Sequence, residues 1–501
     1  MSRTTTSAAA PLPRLALRPV GVVLAAGGLG VATQGLFYGV GIGLNVPLAL
    51  ALVLAAAWAL RRPGTMPRLR DAWLPAAGLG LAVFVSLRGD TTLVVLDALG
   101  AVALVGYAVA SLSGAGVVDR SVAGLARLGA LLIGSAAAGV LDPLVRVRQQ
   151  VPVARLASPG SRFRAVLRGL LIALPLVLVF GALFSSADAV FRRLAEGLVR
   201  WKLDLGTLPG RITVALIGAW LTGGLLALVA SGAARGLADQ PTRPDRPRLG
   251  DAELVTVLVV LDLLFGAFAV LQAAYLFGGQ DTINASGLTY AEYAQRGFFE
   301  LLAAAFLVGG LILGMESVVE RRGRAYLAAI ICLVCLTGVV LASAFLRLRL
   351  YQDAYGWTEL RFYVLAAICW LGIGAAGGVV ALASNRTRWL LHGMLALSIG
   401  FGFAFNLIGP VRLIAEQNVA RAVHPEQVAP GGETGLDAAY LAGLGTDAVI
   451  VLAEARPDLP PAVRAEVSRW LEAQAAGALQ APSGWQAWNL SRERARAELV
   501  R

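Results

Sequence analysis

Apolar stretches of about twenty residues recur along most of this 501-residue chain, and each is long enough to cross a bilayer as a helix. A soluble protein would have to hide them all in one or two cores. With 57% hydrophobic and 15% charged residues and a mean hydropathy of +0.71, the chain has too little polar surface to do so. A transmembrane barrel would show short alternating segments instead. The expected fold is all-α: a polytopic transmembrane helical bundle with a small C-terminal helical domain, in a cell membrane with the lipid bilayer around it.

The stretches read as spans are Val20–Tyr38, Val46–Leu60, Ala72–Leu87, Thr91–Leu112, Ser121–Leu141, Val166–Leu183, Arg211–Ser231, Leu254–Phe277, Phe298–Gly314, Ala325–Leu346, Leu360–Leu382 and Trp389–Ile408. They number about twelve, or eleven if Ser121–Leu141, which carries Arg127, does not cross. Within Ser185–Leu203, Ala187, Val190, Phe191, Leu194, Leu198 and Trp201 repeat at three and four residues. That spacing predicts an amphipathic helix, lying on the bilayer or packed on the protein. Residues 1–165 are thus expected to hold about five membrane helices and 166–410 a core of about seven spans, leaving 411–501 as an extramembrane helical tail. In the tail, Leu436–Glu454 and Pro461–Ala476 read as helices, and Asn489 or Ser491 can cap a last one.

Charge is uneven. The net charge is +12, yet from Val411 onward nine Arg face eleven acids, a net of −2, which leaves +14 for the membrane part. A basic membrane domain fits anionic headgroups better than nucleic acid, which is not an expected partner. Arginine does not settle sidedness, because the Arg-rich loops 61–70 and 146–168 are separated by three candidate spans.

Two stretches concentrate side chains capable of specific work. In Arg347–Tyr363, RLRLYQDAYGWTELRFY, Tyr351, Tyr355, Trp357 and Tyr363 suit a headgroup-level belt. A belt does not require Asp353, Glu359 and Arg361, and Thr358 can cap the helix whose first turn holds Glu359. In Gly287–Glu300, Thr289 and Glu292 form a capping box, and Glu292, Arg296 and Glu300 make a charged stripe at four-residue spacing. Asp262, about 13 Å into its span, is the deepest acid, and a charge there costs roughly 2.5–3.5 kcal/mol on insertion scales. The alternatives are a titrating group in a transport or signalling cycle and a protonated acid bonded to a neighbouring helix. Asp97 and His392 are candidates of the same kind, nearer the ends of their spans.

Familiar chemistry is missing. The sole lysine, Lys202, does not sit in a Walker A loop, His392 and His424 form no H-E-x-x-H site, and there is no G-x-S-x-G elbow. Cys332-x-x-Cys335 and Gly372-x-Gly374-x-x-Gly377 lie inside apolar runs, where helix packing explains them, as it does Gly310-x-x-x-Gly314. No cofactor, metal or catalytic residue is expected, and an enzyme would need an intramembrane site built from carboxylates.

At YQDAYGWTELRFY, with GLTYAEYAQRGFFEL and FSSADAVF upstream and AYLAGLGTDAV and WQAWNLSR in the tail, the chain resembles a bacterial family of multi-pass membrane proteins. That family is the domain of unknown function numbered 4173, related to the one numbered 4153. The resemblance implies a single membrane domain with a tail that belongs to it, in the bacterial inner membrane, and assigns no residue a role. Two functions compete: a membrane scaffold or regulatory subunit that meets a protein partner through the tail, and a secondary transporter or channel using Asp262 and Glu300.

Overall fold

The computed structural model describes residues 18–118, 120–140, 207–235, 251–277, 298–319, 323–384, 386, 389–428, 432, 434–480 and 484–500. Its α-helices are α1 (Arg18–Phe37), α2 (Asn45–Leu60), α3 (Trp73–Val85), α4 (Thr91–Leu112), α5 (Val122–Ala138), α6 (Leu208–Ser231), α7 (Asp251–Phe277), α8 (Phe298–Val318), α9 (Arg324–Tyr355), α10 (Glu359–Ala383), α11 (Leu390–Ile408), α12 (Pro410–Val423), α13 (Ala438–Leu444), α14 (Thr446–Ala455), α15 (Pro461–Gln480) and α16 (Leu490–Val500). No strand forms among the described residues, and an isolated bridge pairs Asp90 with Gly445. The protein is an all-α membrane protein.

Six of these helices are long and apolar enough to span a bilayer: α1, α4, α6, α7, α9 and α10. The pair α11 and α12, bent by 48° at Gly409, makes up to seven. The sequence showed about twelve apolar stretches. Three of them became helices of 16, 13 and 17 residues, namely α2, α3 and α5, short of the roughly 20 residues that cross a bilayer. The span at Val166–Leu183, the amphipathic helix at Ser185–Leu203 and the capping box at Thr289–Glu292 lie outside the described residues.

The chain divides into two compact units. The first comprises α1–α3, α4 from Ala98 onward, α5, α6 and residues 484–488. Its close packing comes from small residues: a Cβ at Gly30 of α1 would strike the Ala215 carbonyl of α6, and one at Gly224 of α6 would strike the Ser135 carbonyl of α5. Asp71 is buried there and fully used, accepting from Ser111 Oγ at 2.8 Å and from the Val117 and Val118 amides at 3.0 Å. It therefore acts as a structural clamp on the loop after α4.

The second unit holds residues 87–97, α7–α15 and α16. Leu254 and Leu258 of α7, Val308 and Ile312 of α8, and Ile330 and Leu333 of α9 form one apolar core. Leu263, Leu264 and Val270 on α7 and Phe306 and Leu307 on α8 stay more than half exposed, an apolar exterior suited to lipid. Not every glycine pattern marks a helix crossing. A Cβ at Gly310, Gly314, Gly372 or Gly377 would meet nothing within 4 Å, whereas one at Gly374 would run into Met394 Sδ at 2.6 Å. The spacing suits close packing, but at Gly310 and Gly314 it leaves room for a Cβ, with no described atom within 4 Å of it.

Candidate functional site

The polar stretch at 347–363 becomes the seat on which the tail is built. Helix α9 runs on to Tyr355 and ends at Gly356, whose φ is +78°. α10 then starts at Glu359 with Thr358 Oγ1 accepting from the Arg361 amide at 3.4 Å, as the capping pattern predicts. The open carbonyls at the end of α9 need donors. Arg361 gives two, from Nη1 to Tyr355 O at 3.0 Å and Gly356 O at 2.6 Å, with its guanidinium 4.1 Å from the Tyr351 ring centroid. Arg421 of α12 gives the others, donating to Asp353 O and to Ala354 O at 2.9 Å.

Asn418, one turn earlier on α12, pairs with both backbone groups of Trp357: the Trp357 amide donates to Oδ1 at 2.9 Å, and Nδ2 donates to Trp357 O at 2.8 Å. The Glu359 amide donates to Tyr440 OH of α13 at 2.8 Å. Burial, the largest influence on the Tyr440 phenol, raises its pKa above the ordinary tyrosine value. Beneath these bonds, Phe362 joins Ile414, Leu441, Leu452 and Val467 in one apolar core, with Trp357, Tyr363 and Phe405 packed against it. The Tyr351 and Tyr355 rings meet at a tilt of 52° with centroids 5.0 Å apart, and Asp353 stays exposed, contributing its backbone. Of the residues expected as loop candidates for function, Tyr351, Asp353, Tyr355, Trp357, Glu359 and Arg361 share one place, where backbone groups of 353–359 meet side chains of the tail.

A second polar centre grows from Arg88-Gly89-Asp90, which in the sequence looks like a spacer. The Gly89 amide donates to Asp447 Oδ2 at 3.1 Å, its carbonyl accepts from the Thr446 amide at 3.1 Å, and Asn489 Nδ2 donates to Arg88 O at 2.9 Å. Ser491 Oγ donates to Asp447 Oδ1 and lies 2.7 Å from Thr446 Oγ1. Asn489 also caps α16, accepting from the Arg492 amide at 3.1 Å. Asp90 caps α4 by accepting from the Leu93 amide at 2.9 Å, and its other oxygen, Oδ2, is buried with no hydrogen-bond partner. Two helical turns further on, Asp97 Oδ1 accepts from Asn406 Nδ2 of α11 at 2.8 Å. Asp97, expected as a lesser candidate, thus lies in an enclosed polar centre, 2% exposed, beside an Asn406 that is 0% exposed. The sequence signal for this partner was an asparagine near the end of an apolar run, three residues before Gly409-Pro410.

Burial pushes the Asp90 carboxyl up from its ordinary 3.8 to about 6, and the nearby Glu359 and Asp447 add to the rise. The folded protein holds this proton up to about pH 6, while an unfolded chain releases it near 3.8. Asp90 therefore stabilises the fold fully below about pH 4 and loses that contribution as pH rises through about 6. Asp90→Asn keeps the acceptor for the Leu93 amide. It is expected to raise the melting temperature at about pH 8, by on the order of 2 kcal/mol of stability, and to change little at about pH 4. Equal effects at both pH values would contradict a buried, reluctant carboxylate.

The other expected residues are scattered. Asp262 is half-buried on α7 with Oδ1 lacking a hydrogen-bond partner, and Glu300 is exposed in the first turn of α8. No hydrogen bond or ion pair joins the two among the described residues. His392 of α11 meets the edge of Trp389, ring centroids 5.5 Å apart. Glu292 and Arg296 lie outside the described residues. A polar group the sequence reading passed over is Gln272 of α7, whose Oε1 accepts from Ser343 Oγ at 2.9 Å and Arg347 Nη2 at 2.8 Å on α9. A cavity of about 290 Å³ among α8–α11 is lined by Phe306, Gly310, Thr337, Trp370, Gly374 and Met394, among others. Its chemistry is that of an acyl chain's surroundings. Among the described residues, no three His, Cys, Asp or Glu side chains are grouped to hold a metal ion.

Residues 75–455 match the family model described as Domain of unknown function (DUF4153). The chain belongs to this family. The match is to DUF4153, named above as a related family, and not to the expected family numbered 4173; it runs from within α3 to the last residue of α14. It thus takes in Asp90, Asp97, Asn406, Asn418, Arg421, Tyr440 and Asp447, while Asn489 and Ser491 lie beyond it. No curated protein and no solved structure matches this DUF4153 chain.

Proposed function

We propose that this DUF4153 protein is a scaffold or regulatory subunit of the bacterial inner membrane, in which the bundle holds the C-terminal helices rigidly for a protein partner. One observation carries the reading: side chains of the tail, Asn418, Arg421 and Tyr440, are spent on backbone groups of residues 353–359 in the turn between α9 and α10. A transporter would be expected to turn such residues toward a pathway. A tail fixed this firmly presents a defined surface, and α15 carries Trp470, 39% exposed, on it. Exposed tryptophan is an enriched anchor type at protein interfaces.

The test is mass spectrometry of what co-purifies with full-length protein in mild detergent, beside Trp470→Glu. A stoichiometric partner is expected, with at least a roughly tenfold loss in the variant at equal expression. A partnerless particle that is stabilised by a small solute would reject the scaffold. Transport is the second reading because of Asp262, whose Oδ1 has no hydrogen-bond partner inside a candidate span. Under that reading Asp262→Asn removes the solute response.

A further inference from the structure

Asn406 sits on α11 three residues before the bend at Gly409, and both its amide hydrogens are committed: Nδ2 donates to Asp97 Oδ1 at 2.8 Å and to Gly402 O at 3.0 Å. These bonds fix which way the amide points, because a flipped amide would set its oxygen against two acceptors. What remains are two buried acceptors without a hydrogen-bond partner, Asn406 Oδ1 and Asp97 Oδ2. They are the second arms of the same two planar groups that already share one bond. Two acceptors cannot satisfy each other, and each left bare in the interior is costly.

We propose that Asp97 and Asn406 together bind one proton and form a neutral acid–amide pair that joins the α4 span to α11. The proton comes from water at the site's edge and adds to Asp97 Oδ2. The new O–H donates to Asn406 Oδ1, closing a ring with the existing bond from Nδ2 to Oδ1. A single proton thereby satisfies both bare oxygens and removes a charge from the bundle.

The groups facing this pair favour the neutral form. Arg88 is the cation facing Asp97, but its Nη2 donates to the backbone oxygen of Asn406. Asp90 faces Asp97 from the start of the same helix, Tyr363 faces both acids from α10, and Glu359 and Asp447 face Asp90 from α10 and α14. One acid, Asp90, and one arginine already committed to a backbone oxygen face Asp97, so an ionised Asp97 has little support. Release of the proton leaves two repelling oxygens three residues from the bend, so the pair acts as a proton-held joint between α4 and the broken helix α11–α12. This holds whether or not the tail recruits a partner.

The test is infrared difference spectroscopy of the full-length protein in nanodiscs at about pH 7, where a group titrating near 6 such as Asp90 is mostly ionised and silent. The expected result is a protonated-carboxyl carbonyl band that is lost in Asp97→Asn, retained in Asp262→Asn and shifted in Asn406→Ala. Asp97→Asn is also expected to keep its melting temperature, since the new amide can donate to Asn406 Oδ1 in place of the proton. Failure of Asp97→Asn to remove any such band overturns the proposal. So does a sodium- or potassium-dependent rise in melting temperature that Asp97→Asn abolishes, which would identify a metal cation as the occupant. Should Asp97→Asn not fold, an unshifted band in Asn406→Ala overturns it alone.

Discussion

A chain cut after Pro410 is expected to aggregate rather than yield a trimmed membrane domain. The cut strips the partners from at least five backbone groups: the Trp357 amide and carbonyl, the Glu359 amide, and the Gly89 amide and carbonyl. At about 1 kcal/mol or more for each group left unmet, that loss alone approaches the roughly 5–15 kcal/mol by which a whole domain is stable. The cut also uncovers Phe362, Tyr363 and Phe405, which pack with the tail's core. Size-exclusion chromatography and circular dichroism in the same detergent check this. A monodisperse fragment with undiminished helix in the bundle would mean that the tail is a passenger, and the scaffold reading would lose its footing.

Much of this architecture is legible in the sequence, because it depends on local rules. Apolar length gives the long helices, Thr358 and Asn489 announce helix starts, and Gly409-Pro410 contains both a stop and a start. The stretch 347–363 stands out for its density of polar and aromatic side chains, and its backbone is where side chains of the tail make contact. That contact is not legible, since the partners Asn418, Arg421 and Tyr440 are ordinary residues on later helices. The same holds for Asp97, whose partner Asn406 is 309 positions away, and for Arg88-Gly89-Asp90, whose meaning lies in contacts with Thr446, Asp447 and Asn489. Depth along a helix is also not enclosure. Asp262, the deepest acid by counting, is only half-buried, while Asp97, nearer its helix start, is sealed in. Periodicity says how far along a helix a residue lies; which neighbour covers it is decided by tertiary packing.

Gly445→Ala is expected to break the joint between the tail and the 88–90 turn, costing about 3 kcal/mol or more. Two independent reasons converge there. Gly445 has a φ of +139°, a region closed to L side chains. In addition, the new Cβ would strike the Gly89 carbonyl oxygen, which accepts from the Thr446 amide. Relieving the clash means separating Gly445 from Gly89, and that separation also breaks the bond from the Gly89 amide to Asp447 Oδ2 and unseats Asp90, whose backbone bridges to Gly445. Gly443→Ala, two residues earlier on an exposed face of α13 where a Cβ meets nothing within 4 Å, is the matched control. It is expected to be neutral or to stabilise by up to about 1 kcal/mol. Thermal unfolding of the two variants side by side separates a general glycine effect from the loss of this contact, because equal melting temperatures would mean that the tail does not depend on the close approach of Gly445 to Gly89.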